Sequence, residues 1–223
     1  MKPLRGVLLD AGGTLFVERR PRSQIYADVA RRHGVVVDEA AVARAMAQVH
    51  AQLPDRVDGG FRYTRPWFER FIVLVFARAG APALPPSIAR DLFATFADPA
   101  TFHVFEDVVP TLERIRARGW KLAVVSNWSP TLAPLLERLD LARRFDAIVS
   151  SGQEEVEKPA AEIFTRALRR LGVAAAEAIH VGDHAQKDLL GARTAGLRAA
   201  LLDRSGADPT AWTTLAPLAH VDE

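Results

Sequence analysis

The chain has 223 residues, 49% of them apolar, enough to bury a sizeable core and to form one large domain with a smaller insert. The absence of cysteine excludes disulfides and thiol catalysis, and the longest apolar run, 71–77, is far too short to cross a bilayer. The isoelectric point is about 9.3 but the formal net charge is only +2, and arginines such as Arg114, Arg116 and Arg118 follow Glu113 as on a solvated helix face, so the charge gives no case for nucleic-acid binding.

In chain order, Gly6-Val7-Leu8-Leu9-Asp10 predicts a buried strand that Gly12-Gly13 ends. Lys2 and Arg5 lead into no secretory-type apolar stretch, so a soluble cytoplasmic protein is expected. The next stretch shows no strand alternation. Helical periodicity marks 25–32, 42–49, 67–78 and 88–96, with turns at Pro54, Asp58-Gly59-Gly60 and 82–86, and Pro66 suits the first turn of its helix. These signals predict an all-helical insert over 17–102.

From residue 103 the pattern changes. Apolar runs at 120–125, 145–150, 178–182 and 197–202 alternate with amphipathic stretches carrying Leu112 and Ile115, then Leu132, Leu135, Leu136 and Leu139, then Ile163, Phe164, Ala167, Leu168 and Leu171. Strands alternating with helices in this way predict a Rossmann-like parallel sheet, covered on both faces, formed by 1–16 together with 103–223. Trp212, Leu215 and Leu218 predict a short packed helix before an exposed end.

Four short motifs fall at strand ends or in the loops beyond them, where open parallel sheets place their ligands. Asp10-Ala11-Gly12-Gly13-Thr14 offers a carboxylate beside glycines that allow close approach, though Asp before Gly-Gly is also an ordinary turn starter. Ser126-Asn127 offers a hydroxyl and backbone N–H groups to a phosphoryl oxygen, or simply caps a helix. Lys158-Pro159 offers a cation, or a solvated surface lysine. Gly182-Asp183, with Asp188 five residues on, offers carboxylates to a hard cation, or acidic residues to a helix dipole.

In order and spacing, the set resembles the haloacid dehalogenase superfamily, in its branch with a helical cap inserted after the first motif. The stretches 105–112, 157–164 and 178–183 share in that resemblance, which covers nearly the whole core. It implies a hydrolase, a Mg²⁺-dependent phosphatase acting on a small phosphorylated metabolite. Asp10 would be the nucleophile, forming an aspartyl-phosphate. Asp10, the carbonyl of Gly12 and Asp183 would hold Mg²⁺, with Asp188 supporting the site from just outside. Ser126, Asn127, Thr14 and Lys158 would meet the phosphoryl group, and Lys158 would also offset charge between it and Asp10.

One position departs from the pattern. Phosphatases of this family usually carry a second Asp two residues after the nucleophile, as proton donor and acceptor, and this chain has Gly12 there. A missing general acid–base group costs about 10²–10⁴ in rate. Three readings stay open: a phosphatase that is slow or suited to acyl or aryl leaving groups, with Glu18 or His184 as substitute groups; a metal-free 2-haloacid dehalogenase, which needs no leaving-group proton; and a non-catalytic binding or regulatory module. Phe61, Tyr63, Trp67 and Phe68 read as core of the insert, Arg62 or Arg65 as conceivable substrate anchors, and Trp128 as a pocket-lining residue.

Overall fold

The computed structural model describes residues 2–81 and 83–220, the side chains of 219 and 220 excepted, so Pro82 and the end at 221–223 lie outside the described residues. The first strand, β1 (Gly6–Leu9), is followed by the short β2 (Phe16–Glu18) and helices α1 (Arg22–Arg32) and α2 (Glu39–Gln52). Two two-residue strands, β3 (Arg56–Val57) and β4 (Gly60–Phe61), precede α3 (Arg65–Arg78), α4 (Ser87–Ala97) and β5 (Phe102–Val104). Then come α5 (Val108–Ala117), β6 (Lys121–Ser126), α6 (Leu132–Arg138), β7 (Ala147–Ser150) and α7 (Ser151–Glu154). The last elements are α8 (Ala161–Leu171), β8 (Ala178–Gly182), a π-helix at Ala185–Leu190, α9 (Gly191–Thr194), β9 (Arg198–Leu201) and a 3₁₀ turn at Ala216–His220.

The chain divides into two compact units, Met1–Val17 with Val104–Glu223, and Glu18–His103. In the first, five strands form one sheet in the order β7-β6-β1-β8-β9, every pair parallel. The apolar runs explain it: Val7, Leu8 and Leu9 of β1 and Leu122 through Val125 of β6 are wholly buried, as strands covered on both faces must be. The buried face of α8, Ile163, Phe164, Ala167, Leu168 and Leu171, packs into one cluster with Leu8, Ala123, Val125 and Val149. Burying a side chain of this size contributes about 1.5–3 kcal/mol. Because the strands are parallel and Leu9 is level with Val124 and Val181, the residues after β1, β6 and β8 leave the same edge of the sheet. The chain winds outward from β1 in both directions, so the topological switch lies at β1.

The second unit is built mainly of helices around Tyr26, Val42, Val49, Trp67, Phe71, Phe76, Ile88 and Leu92. Asp38 caps α2 by accepting from Ala41 N at 2.7 Å, and Pro66 sits in the first turn of α3. Trp67 stacks on Phe71 with centroids 5.3 Å apart and donates its indole N–H to Pro54 O at 2.8 Å. The unit departs from the all-helical expectation in more than one place. Asp58 and Gly59 both take positive φ, 51° and 79°, the requirement of a type I′ turn, and close the antiparallel β3–β4 hairpin. Strands of two residues are too short to show alternation. β2 and β5, which pair as a two-stranded ladder, also escape the sequence pattern. No helix among the described residues is long and apolar enough to cross a membrane.

Candidate active site

Asp10 follows β1 at the switch point and is buried, its N–H bonded to Val181 O at 3.0 Å. The chain then turns sharply, with Leu15 N donating to Ala11 O and Gly13 N to Phe16 O, both at 2.8 Å. Gly13 takes φ +77°, and a Cβ there would overlap the Asp183 carboxylate. Gly182 has the matching role one strand over: a Cβ on it would overlap the carboxylate of Asp188. Two carboxylates thus reach the site because two side chains are missing.

Lys158 is buried in the loop before α8, at a cis peptide with Pro159. Its Nζ donates to Asp10 Oδ1 at 2.6 Å and to Asp188 Oδ1 at 2.5 Å. Burial alone would favour the neutral amine, but Asp10 and Asp188 outweigh it and hold the Lys158 pKa above the ordinary lysine value. Asp188 is likewise opposed by burial, yet Lys158 and then His180 keep its carboxyl well below the usual range. His180, wholly buried in β8, has its Nε2 2.8 Å from Asp188 Oδ1, while Asp188 Oδ2 accepts from His184 N at 3.1 Å. With both Asp188 oxygens occupied by protein donors, its carboxylate is committed to holding Lys158.

Asp183 is different. The residue is exposed, its carboxylate lies against Gly13, and its pKa is pushed up to about 6, by partial desolvation first and then by the charges of Asp10 and Asp188. Oxygens of Asp10, Asp183 and Asp188 lie within 4.8 Å of one another. Three carboxylates faced by one ammonium leave excess negative charge, and an all-oxygen donor set of this kind fits a hard divalent cation such as Mg²⁺. Among the described residues, Asp188 is the member whose two oxygens are both engaged by protein donors.

Ser126 ends β6 and is buried at the same sheet edge. The side chain of Asn127 is engaged elsewhere: its Oδ1 accepts from Lys158 N at 2.8 Å and its Nδ2 donates to Lys158 O at 3.0 Å, clipping the lysine loop to β6. Thr14 is wholly buried, its hydroxyl without a hydrogen-bond partner among the described residues. Its carbonyl accepts from Arg204 Nη2 at 2.6 Å, and Arg204 also pairs with Asp107 at 3.0 Å and lies 3.7 Å over the Phe105 ring. Gly12 stands between Asp10 and Gly13 on the same turn.

Asp10, Lys158, Asp183 and Asp188 therefore form one cluster, with Ser126 on the adjacent strand end. His180, Arg204 and Asp107 were not singled out from the sequence. His180 looks like any strand residue, and 97 positions separate Arg204 from Asp107. Of the two substitute acids, His184 caps the π-helix, its Nδ1 accepting from Gln186 N and Lys187 N, and Glu18 pairs with Arg22. Phe61, Tyr63 and Trp67 are buried within their own unit, Arg62 pairs with Asp55, and Arg65 pairs with Glu69.

A sequence profile of haloacid dehalogenase-like hydrolases matches residues 4–196. The chain is 34% identical to haloacid dehalogenase-like hydrolase domain-containing protein 3 of Danio rerio, over 93% of this chain and 88% of that protein. It is 33% identical to glyceraldehyde 3-phosphate phosphatase of Methanopyrus kandleri, over 87% and 82%. Among solved structures, a HAD phosphatase from Thermococcus onnurineus superposes with a TM-score of 0.72 at 25% identity, covering 98% of this chain and 97% of that one. A 2-haloacid dehalogenase from Pseudomonas syringae does so with a TM-score of 0.69 at 26% identity and the same coverage. The chain belongs to the haloacid dehalogenase-like hydrolases.

Proposed function

We propose that the protein is a Mg²⁺-dependent phosphatase that acts on a small phosphorylated metabolite in the cytoplasm through an aspartyl-phosphate on Asp10. The observation that carries this reading is the buried Lys158 ammonium bridging Asp10 and Asp188 beside the underneutralised Asp183 carboxylate. A metal-free dehalogenase would have to bring a carboxylate substrate to that cluster against like charge. Asp10 and Asp183, with the carbonyl of Gly12, would hold Mg²⁺, which when bound offsets charge on the phosphoryl oxygens.

The chain's own groups do the rest. Asp10 attacks phosphorus, the bond from phosphorus to the leaving oxygen breaks with its electron pair on that oxygen, and water then attacks the same phosphorus and frees the carboxylate. Ser126 and the backbone N–H of Asn127 hold phosphoryl oxygens, and Lys158 holds the Asp10 carboxylate in place through its hydrogen bond to Oδ1. Thr14 contributes through the turn it sits in. By the family resemblance, the helical unit governs substrate choice.

The test is aryl phosphate hydrolysis with and without Mg²⁺, beside chloride release from a 2-haloacid. Mg²⁺-dependent phosphate release, lost by about 10³-fold or more in Asp10→Asn, is the expected result. Metal-independent chloride release would overturn it. Gly12 favours a second reading, a non-catalytic binding module, which would be indicated by no turnover of either substrate.

A further inference from the structure

Gly12 is the position where the family resemblance leads one to look for an acid–base carboxylate, and the structure shows what occupies that space instead. A Cβ built on Gly12 would lie 3.2 Å from Cζ3 of Trp128 and 4.0 Å from Cε3. Even a methyl group there would require the indole to give by a few tenths of an ångström. The Trp128 backbone is pinned on both sides, and its half-buried ring rests on Phe16. Trp128 N donates to Ser126 O at 2.9 Å, Trp128 O accepts from Gly152 N at 2.9 Å and from Ser151 Oγ at 3.3 Å, and the ring packs edge-on against the fully buried Phe16 with centroids 5.6 Å apart.

We infer that Gly12 and Trp128 form one device, an aromatic wall in place of a proton donor, and that the site therefore takes phosphoryl donors whose leaving group departs unprotonated: acyl phosphates and activated aryl phosphates. This rests on the phosphatase reading above and narrows it. An indole has no group that titrates near neutrality, so nothing at this place delivers a proton to a departing alkoxide. A carboxylate or a phenolate, with conjugate-acid pKa values of about 4 and about 10, leaves as the anion without help. The balance closes. The leaving oxygen takes the electron pair of the broken P–O bond and departs as carboxylate or phenolate. Water then attacks the aspartyl-phosphate, its oxygen staying on phosphorus and its protons going to the phosphate product and to solvent. The aromatic wall also suits a planar acyl or aryl group better than a hydrated sugar alcohol.

The experiment is a series of substrates with Mg²⁺, acetyl phosphate, para-nitrophenyl phosphate, phenyl phosphate and glycerol phosphate, assayed on wild type, Gly12→Asp, Trp128→Ala and the double variant. Wild type should lose at least about 10²-fold in kcat/KM between the activated and the alkyl esters. Gly12→Asp alone should not recover glycerol phosphate turnover, whereas the double variant should recover about 10²-fold or more on that ester and change little on acetyl phosphate. Equal wild-type rates on alkyl and aryl esters would overturn the inference without variants and leave the phosphatase reading standing. So would a Gly12→Asp gain as large as that of the double variant. No turnover of any phosphate by wild type would sink the phosphatase reading, and this inference with it.

Discussion

The two units bury different things. The α/β unit hides an alternating row of charges, Asp10, Lys158 and Asp188, ending on His180, while the helical unit hides stacked and edge-on rings around Trp67, with Tyr26 on Phe76. A core of rings is stabilised by area and shape, so its loss grows with the volume removed. A buried row of charges is held by pairing, and removing one member strands the others. The first unit has spent stability on orientation. The second buries no charged side chain among its described residues.

This contrast can be broken by substitution. Lys158→Met should have the largest effect: turnover is lost, and the fold loses about 3–5 kcal/mol as Asp10 and Asp188 lose the cation between them, read by urea unfolding. Trp67→Ala should cost a similar 3–5 kcal/mol by cavity formation. In hydrogen exchange, however, its effect should be confined to 18–103. If Lys158→Met were stability-neutral, the two cores would not differ in kind.

His180→Leu removes a donor to a buried carboxylate and should cost about 1.5–3 kcal/mol, with a fall in kcat larger than any change in KM. His180→Gln, which can offer an amide N–H to Asp188, should restore part of both. Equal damage from the two variants would make His180 a packing residue only.

The smallest expected effect is a pH effect. Burial pushes the Tyr26 hydroxyl up to about 12, with Arg22 opposing. Its unfolded value is about 10, so the neutral phenol's contribution is fully present below pH 10 and is lost as pH rises through 12. At pH 11 the loss should be about 1.4 kcal/mol, and Tyr26→Phe should abolish that dependence in alkaline thermal unfolding.

The sheet was legible because strands covered on both faces need unbroken apolar runs, and those at 6–9 and 120–125 have no other easy reading. The four motifs were legible because each sits at a strand end or in the loop after it. Other features were not, for physical reasons. The β3–β4 hairpin is made by φ at Asp58 and Gly59, not by side-chain alternation. The clip that the Asn127 side-chain amide makes to the Lys158 backbone joins two loops that no local pattern connects. His180 owes its importance to Asp188, eight residues on, and Trp128, which the sequence marks as pocket-lining, meets Gly12 in a contact that no local pattern reports.

The position of β1 has a consequence for synthesis. It is the central strand, yet its partners begin at Lys121 and Ala178. At about 5–20 residues per second, the ribosome needs roughly 6–25 s to reach the first of them. Throughout that time Val7, Leu8 and Leu9 have no sheet to join, while 18–103, whose contacts cluster within that segment, is completed before Lys121 is reached. The helical segment is therefore finished behind an unpaired apolar strand, and the nascent chain's greatest exposure to aggregation falls in β1, the strand that leads to Asp10.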